Sequence, residues 1–170
     1  MKIRNDVDLR WMTDSDEDAE LVTRWRNDPM VRPYFFSEDV VTPDTHRLFM
    51  KNRKPHDLVW VIEHRGCPVG MCSLTVDVEK REAEFGRILV DPGLMGKGYA
   101  RKAVHLALYY AFKILQLNRV WIEAFEENNA ILSLYRSLGF NPCEDKSSYT
   151  WAEKRVVVWE LLSKEWTSWE

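Results

Sequence analysis

The chain has 170 residues, 45% hydrophobic and 30% charged, with 24 Lys and Arg against 27 Asp and Glu for a net charge of −3. Such proportions belong to an ordinary globular protein with a sizeable core, so one domain over residues 1–170 is expected. A slightly acidic balance without a basic face argues against a nucleic-acid binder. Residues 1–6, MKIRND, hold no apolar signal core and no stretch approaches membrane-spanning length, so no membrane partner is expected and the cytoplasm is the default location.

Val7 to Thr13 alternates apolar and polar residues and is expected to be the first strand. Asp14-Ser15-Asp16-Glu17-Asp18 then offers N-cap candidates and first-turn acids for a helix carrying Leu21, Val22 and Trp25; the acids are expected to be capping groups and solvated surface. Trp25 to Phe36, W-R-N-D-P-M-V-R-P-Y-F-F, contains two helix-breaking prolines and leaves aromatic side chains in a loop. Thr42-Pro43 opens a second helix to about Lys54. From there Leu58 to His64, Val69 to Val76 and Glu82 to Val90 follow through short turns, which makes them an antiparallel meander.

The meander delivers the chain into D-P-G-L-M-G-K-G-Y-A-R-K, Asp91 to Lys102. Gly93, Gly96 and Gly98 form a loop without side-chain bulk whose amides can close around an anion, and the helix behind adds unpaired N–H groups and the positive end of its dipole. A phosphorylated ligand is expected. A P-loop would need Lys-Ser/Thr after its last glycine, but Tyr99-Ala100 stands there, and the dinucleotide fingerprint fits only in reversed spacing.

A helix over Lys97 to Leu117 carries a 3.6-residue apolar stripe; strand Arg119 to Phe125 and helix Asn129 to Leu138 follow. A strand, helix, strand succession implies a parallel pair inside a mixed sheet. The chain closes with a weak strand over Ser147 to Trp151 and a strong one over Lys154 to Leu162. Cys67, Cys72 and Cys143 form no C-x-x-C pair and the four histidines are scattered, so neither disulfide framework nor metal site is expected.

Gly93-Leu94-Met95-Gly96-Lys97-Gly98 resembles the acyl-CoA pyrophosphate loop of the GCN5-related N-acetyltransferase (GNAT) superfamily, Gln/Arg-x-x-Gly-x-Gly/Ala, except that Gly93 replaces the usual Gln or Arg. Asn128 with Leu134-Tyr135-Arg136-Ser137-Leu138-Gly139-Phe140 is similar to the family's Asn…Leu-Tyr-x-x-x-Gly-Phe helix. The likeness spans residues 57–162 and, more loosely, the whole chain. It implies a mixed α/β GNAT fold, with a mostly antiparallel sheet of about six to seven strands flanked by about four helices, and acetyl-CoA as cosubstrate.

The resemblance also implies site residues. The backbone of Ile88, Leu89 and Val90 would pair with the pantetheine, as an added strand would. Met95, Gly96, Lys97, Gly98, Tyr99, Ala100 and Arg101 would hold the pyrophosphate, with Lys102 also available, and Asn128 would bond the pantetheine arm. Tyr135 would sit near the thioester sulfur and assist the departing thiolate; otherwise it is helix packing beside Leu134 and Leu138. From the chemistry, an alkyl amine of pKa ~10 is only about 0.1% neutral at pH 7 and needs a proton acceptor. Glu84, on the strand before the loop, is the candidate, with Glu82 on the same face; the alternative is that both face solvent.

The W-R-N-D-P loop borders the acceptor site in this family, so Arg26, Asn27, Tyr34 and Phe35 are candidate substrate contacts, or else pin the loop to the core. The loop, A-E-F-G and the closing L-L-S-K-E-W look most like the branch acetylating nucleotide-linked aminosugars, with protein N-terminal or ribosomal-protein acetylation next and polyamine acetylation behind. A non-catalytic CoA-binding module remains the reading from another class. A homodimer through the closing strand or an aromatic surface is left open.

Overall fold

The computed structural model describes residues 6–37 and 39–168; residues 1–5, expected to hold no apolar signal core, lie outside the described residues. Strands β1 (Val7–Trp11), β2 (Asp57–His64), β3 (Cys67–Asp77), β4 (Glu82–Val90), β5 (Arg119–Phe125), β6 (Asn141–Pro142), β7 (Tyr149–Trp151) and β8 (Lys154–Leu162) form one sheet. Its order is β1-β2-β3-β4-β5-β8-β6, with β7 also on β8. All neighbours are antiparallel except β4 and β5. Eight strands exceed the expected six to seven because β6 has only two residues, too few to show a period.

Among the described residues four α-helices accompany the sheet: α1 (Asp16–Asn27), α2 (Pro43–Asn52), α3 (Tyr99–Tyr109) and α4 (Asn129–Ser137). In α1, Ser15 caps the Asp18 amide at 3.2 Å; α2 opens with a reciprocal Thr42/Thr45 capping box and Pro43 in its first turn. One expectation fails here. Asp18 is not solvated but 2% exposed, because Arg10 grips both its oxygens at 2.9 and 3.0 Å and the Thr13 amide donates at 2.8 Å.

Alternation along the strands sorts their side chains onto two faces. One packs Ile62, Leu74, Phe85, Ile122 and Leu161 against Val104, Ala107 and Leu108 of α3 and Tyr135 of α4. The other packs Val59, Val61, Met71 and Leu89 against Val22 and Trp25 of α1. The helix expected to run to Leu117 is α-helical only to Tyr109 and continues as a π turn over Tyr110–Ile114. There Leu115 N–H reaches back five residues to the Tyr110 carbonyl at 2.9 Å, which brings the adjacent Ala111 and Phe112 both into the core.

Gly70 lets β3 and β4 run close together just before the glycine loop. A Cβ built there would lie 2.1 Å from the Leu89 carbonyl oxygen and 3.1 Å from Val90 Cα, both rigid backbone. Gly70→Ala is therefore expected to destabilise by about 2 kcal/mol or more, as overpacking does. Urea unfolding should show a lower midpoint at unchanged slope.

Candidate active site

β4 pairs with β5 only over Glu82–Glu84, opposite Arg119–Trp121, and then leaves it. The departure is built into β4: between Gly86 and Leu89 it carries one more residue than the facing stretch of β3, and Arg87 takes φ 50° to fit it. Beyond Trp121, β5 keeps only β8 as partner. Among the described residues no strand covers the β5-side edge of Phe85 to Val90. That open edge, which includes Ile88, Leu89 and Val90, can accept an extended amide-bearing chain as an added strand.

The cleft ends at the glycine loop. Asp91 fastens its start, accepting from Gly93 N–H at 3.0 Å, Trp25 Nε1 at 3.0 Å and Arg24 at 3.1 Å. Gly96 and Gly98 have φ 80° and 81°, and Gly98 is the N-cap of α3. This left-handed geometry turns the loop so that the first amides of α3 remain available to an anion. Met95 and Lys97 stand exposed, Ala100 is half-buried, and the Tyr99 ring is buried. Two of the cations expected here are already engaged: Arg101 donates to Ser137 Oγ at 2.7 Å and Lys102 pairs with Asp6 at 2.7 Å. Asn128 caps α4 through its side-chain oxygen, 3.4 Å from Ile131 N, which leaves its NH2 group for a ligand.

Two titratable groups flank the cleft from opposite faces. Glu84 lies in a directly paired row, Asp57, Thr75, Glu84, Trp121 and Glu160, across five strands. Burial, then the like charge of Glu123, pushes its carboxyl up to about 7, against the opposing pull of Arg87 and Lys146. Tyr135 is 2% exposed, with its ring against Phe85 and Phe140 at centroid distances of 6.3 and 5.2 Å. Burial pushes its phenol above the ordinary value, so it stays protonated. Glu82, weighed beside Glu84, is 5% exposed and tied to Arg119 and to Lys146 at 3.3 Å, which makes it a structural ion-pair member.

The acceptor-side candidates divide. Arg26 lies over the Phe35 ring at 3.9 Å with its Nε buried and without a hydrogen-bond partner; burial and nearby Arg87 lower its guanidinium to about 10. Asn27 is a clamp rather than a free contact, exchanging bonds of 2.7 and 2.8 Å with the Val41 backbone. Tyr34 is 47% exposed. Three residues not anticipated complete this face. Tyr149 donates to Glu123 at 2.8 Å, and Trp151 Nε1 donates to the Phe36 carbonyl at 3.0 Å, fixing the proline loop to β7. Glu123 could have been found only from the parallel register, which puts it one face-step beyond Glu84's partner Trp121.

Among the described residues one group, Cys143, Asp145 and Glu160, has ligand atoms within 4.8 Å of one another. Arg119 already occupies it, 2.7 Å from Asp145 and 3.5 Å from Glu160.

Comparison with known proteins follows the same lines. The family described as acetyltransferase (GNAT) domain matches residues 6–141. Spermidine N(1)-acetyltransferase of Escherichia coli (strain K12) is 30% identical over 135 residues, which are 79% of this chain and 68% of that protein. The enzyme of the same name from Vibrio cholerae is 26% identical over 137 residues, 78% and 73% of the two chains. The solved structure of Vibrio cholerae spermidine N-acetyltransferase in complex with CoA and spermine superposes with a TM-score of 0.83 at 24% identity, covering 95% of this chain and 98% of that one.

Proposed function

This chain belongs to the GNAT acetyltransferase family and is an acetyl-CoA-dependent N-acetyltransferase, and on that premise we propose that its acceptor is the primary amine of a polyamine such as spermidine. The observation that carries the proposal is the pair of carboxylates, Glu84 and Glu123, on the acceptor face of the cleft. Neither has a cationic partner within salt-bridge distance among the described residues. Such a pair attracts a protonated aliphatic amine and can then take its proton. The 30% identity to a spermidine acetyltransferase supports the same class.

In this scheme the acetyl-CoA arm lies along the open edge of β4, and Glu84 takes a proton from the bound ammonium, directly or through water. The amine nitrogen attacks the thioester carbonyl, whose oxygen is held by a β4 amide as charge develops on it. The C–S bond then breaks while Tyr135 donates a hydrogen bond to the departing thiolate, and the second proton that the nitrogen loses as the amide forms ends on that sulfur. The products are the N-acetyl amine and CoA thiol, with one proton passed from Glu84 to solvent.

The aminosugar-nucleotide acceptor favoured by the W-R-N-D-P loop is the second reading. It is kept because the orphaned Arg26 Nε beside Arg87 would suit an anionic group on the acceptor. Thiol release from acetyl-CoA against spermidine, spermine, a nucleotide-linked aminosugar and an N-terminal peptide separates the two. Spermidine should exceed the anionic and peptide acceptors by about 100-fold in kcat/KM, the scale of a lost charge-assisted contact pair. Turnover confined to the sugar nucleotide would replace the polyamine reading. Glu123→Gln should raise the KM for spermidine about fivefold with little change in kcat, the signature of lost uniform binding.

A further inference from the structure

The glycine loop has no bulk of its own to hold it. Gly96 and Gly98 sit at positive φ with open space where a Cβ would project. Its front end is fastened by Asp91. Its back end is fastened by a chain of side chains that the acetyl-transfer scheme does not use.

The Tyr99 hydroxyl lies 3.1 Å from His64 Nδ1, and His64 Nε2 lies 3.0 Å from Asp6 Oδ2. Lys102 Nζ donates to Asp6 Oδ1 at 2.7 Å, closing the circuit back onto α3 one turn further along. Bonds from Lys102 and then His64 hold the Asp6 carboxyl down to about 2, so it is an acceptor only. His64 Nε2 must then carry the proton that points at Asp6. In the neutral imidazole Nδ1 is left as the acceptor of the Tyr99 O–H. His64 is the last residue of β2, paired with Val7 of β1, so the circuit joins the first turn of α3 to the sheet.

We infer that His64, together with Asp6, is a positioning residue for the pyrophosphate of acetyl-CoA, holding Tyr99 and Lys102 so that the amides at the start of α3 are aimed before the cofactor arrives. Lys102, tied to Asp6 at 2.7 Å, serves as an anchor and not as a phosphate contact. The inference rests on the acetyl-CoA reading of the loop and not on the identity of the amine. A wrong acceptor class would leave the donor-side result intact.

The test compares two donors in the full-length protein: acetyl-CoA, which carries the pyrophosphate, and S-acetylpantetheine, which does not. His64→Phe should raise the KM for acetyl-CoA about tenfold, the equivalent of one hydrogen bond lost from preorganisation, with no change for S-acetylpantetheine. Tyr99→Phe, which removes a single oxygen and keeps the buried ring, should show the same split. His64→Gln, which can still donate and accept, should restore most of the loss. Equal losses on both donors, or an unchanged KM for acetyl-CoA, would overturn the assignment.

Discussion

Replacing Glu84 with Gln is expected to lower kcat/KM for the amine about 100-fold at pH 7.5, the lower range for removal of a general base. The isosteric amide keeps the side chain's volume but cannot accept the proton. The pH dependence identifies the cause. With the Glu84 carboxyl pushed up to about 7 by burial and Glu123, wild-type activity should rise as pH increases through 7, as the base form fills. In the Gln variant that limb should vanish, and the rate should climb about tenfold per pH unit toward the amine's own pKa of ~10. The loss therefore shrinks at high pH. An equal loss at pH 7.5 and 9.5 would remove Glu84 from the base role.

The same substitution carries a stability signature of opposite sign. A carboxyl whose folded pKa exceeds its unfolded value binds more protons in the native state, so stability falls as pH rises from about 4.5 to about 7. Glu84→Gln removes that term and should raise the melting temperature at pH 7.5. A less active but more stable variant is what a strained functional site produces.

How much of this was legible in the sequence follows from the range of each signal. β5 and β8 fall on their expected bounds, α2 falls close to its own, and α1 carries the expected Leu21, Val22 and Trp25, because period, caps and prolines act within a few residues. The π turn at Tyr110–Ile114 left no trace, since its apolar residues also satisfy a continuous α-helical stripe. Of the residues proposed for the site, Glu84 and Tyr135 were reachable, one as the acid on the strand before the loop and the other inside a motif. Glu123 and Tyr149 were not, because they approach Glu84 only through the β4–β5 and β7–β8 registers, which no local pattern encodes. Asn27 and Lys102 show the complementary limit: their residue types suit ligand contact, while the partners the fold gives them, Val41 and Asp6, are equally invisible to local pattern.

The second large effect is expected at Tyr135. Tyr135→Phe should lower kcat about 30-fold with acetyl-CoA affinity unchanged, because a hydrogen bond to a charged group contributes about 2 kcal/mol. The phenyl ring can stay against Phe85 and Phe140, and the hydroxyl has no hydrogen-bond partner among the described residues. Folding stability should accordingly be unchanged or slightly raised. Because burial raises the phenol above its ordinary value while a thiol ionises near ~8.5, full proton transfer to the sulfur is uphill. In the proposed scheme the hydroxyl would act instead by donating to charge as it builds on sulfur. That distinction has its own test. With an acetyl thioester of a more acidic thiol, less charge needs help at the transition state, and the defect should shrink toward unity; a leaving-group-independent defect would mean that Tyr135 only shapes the cleft.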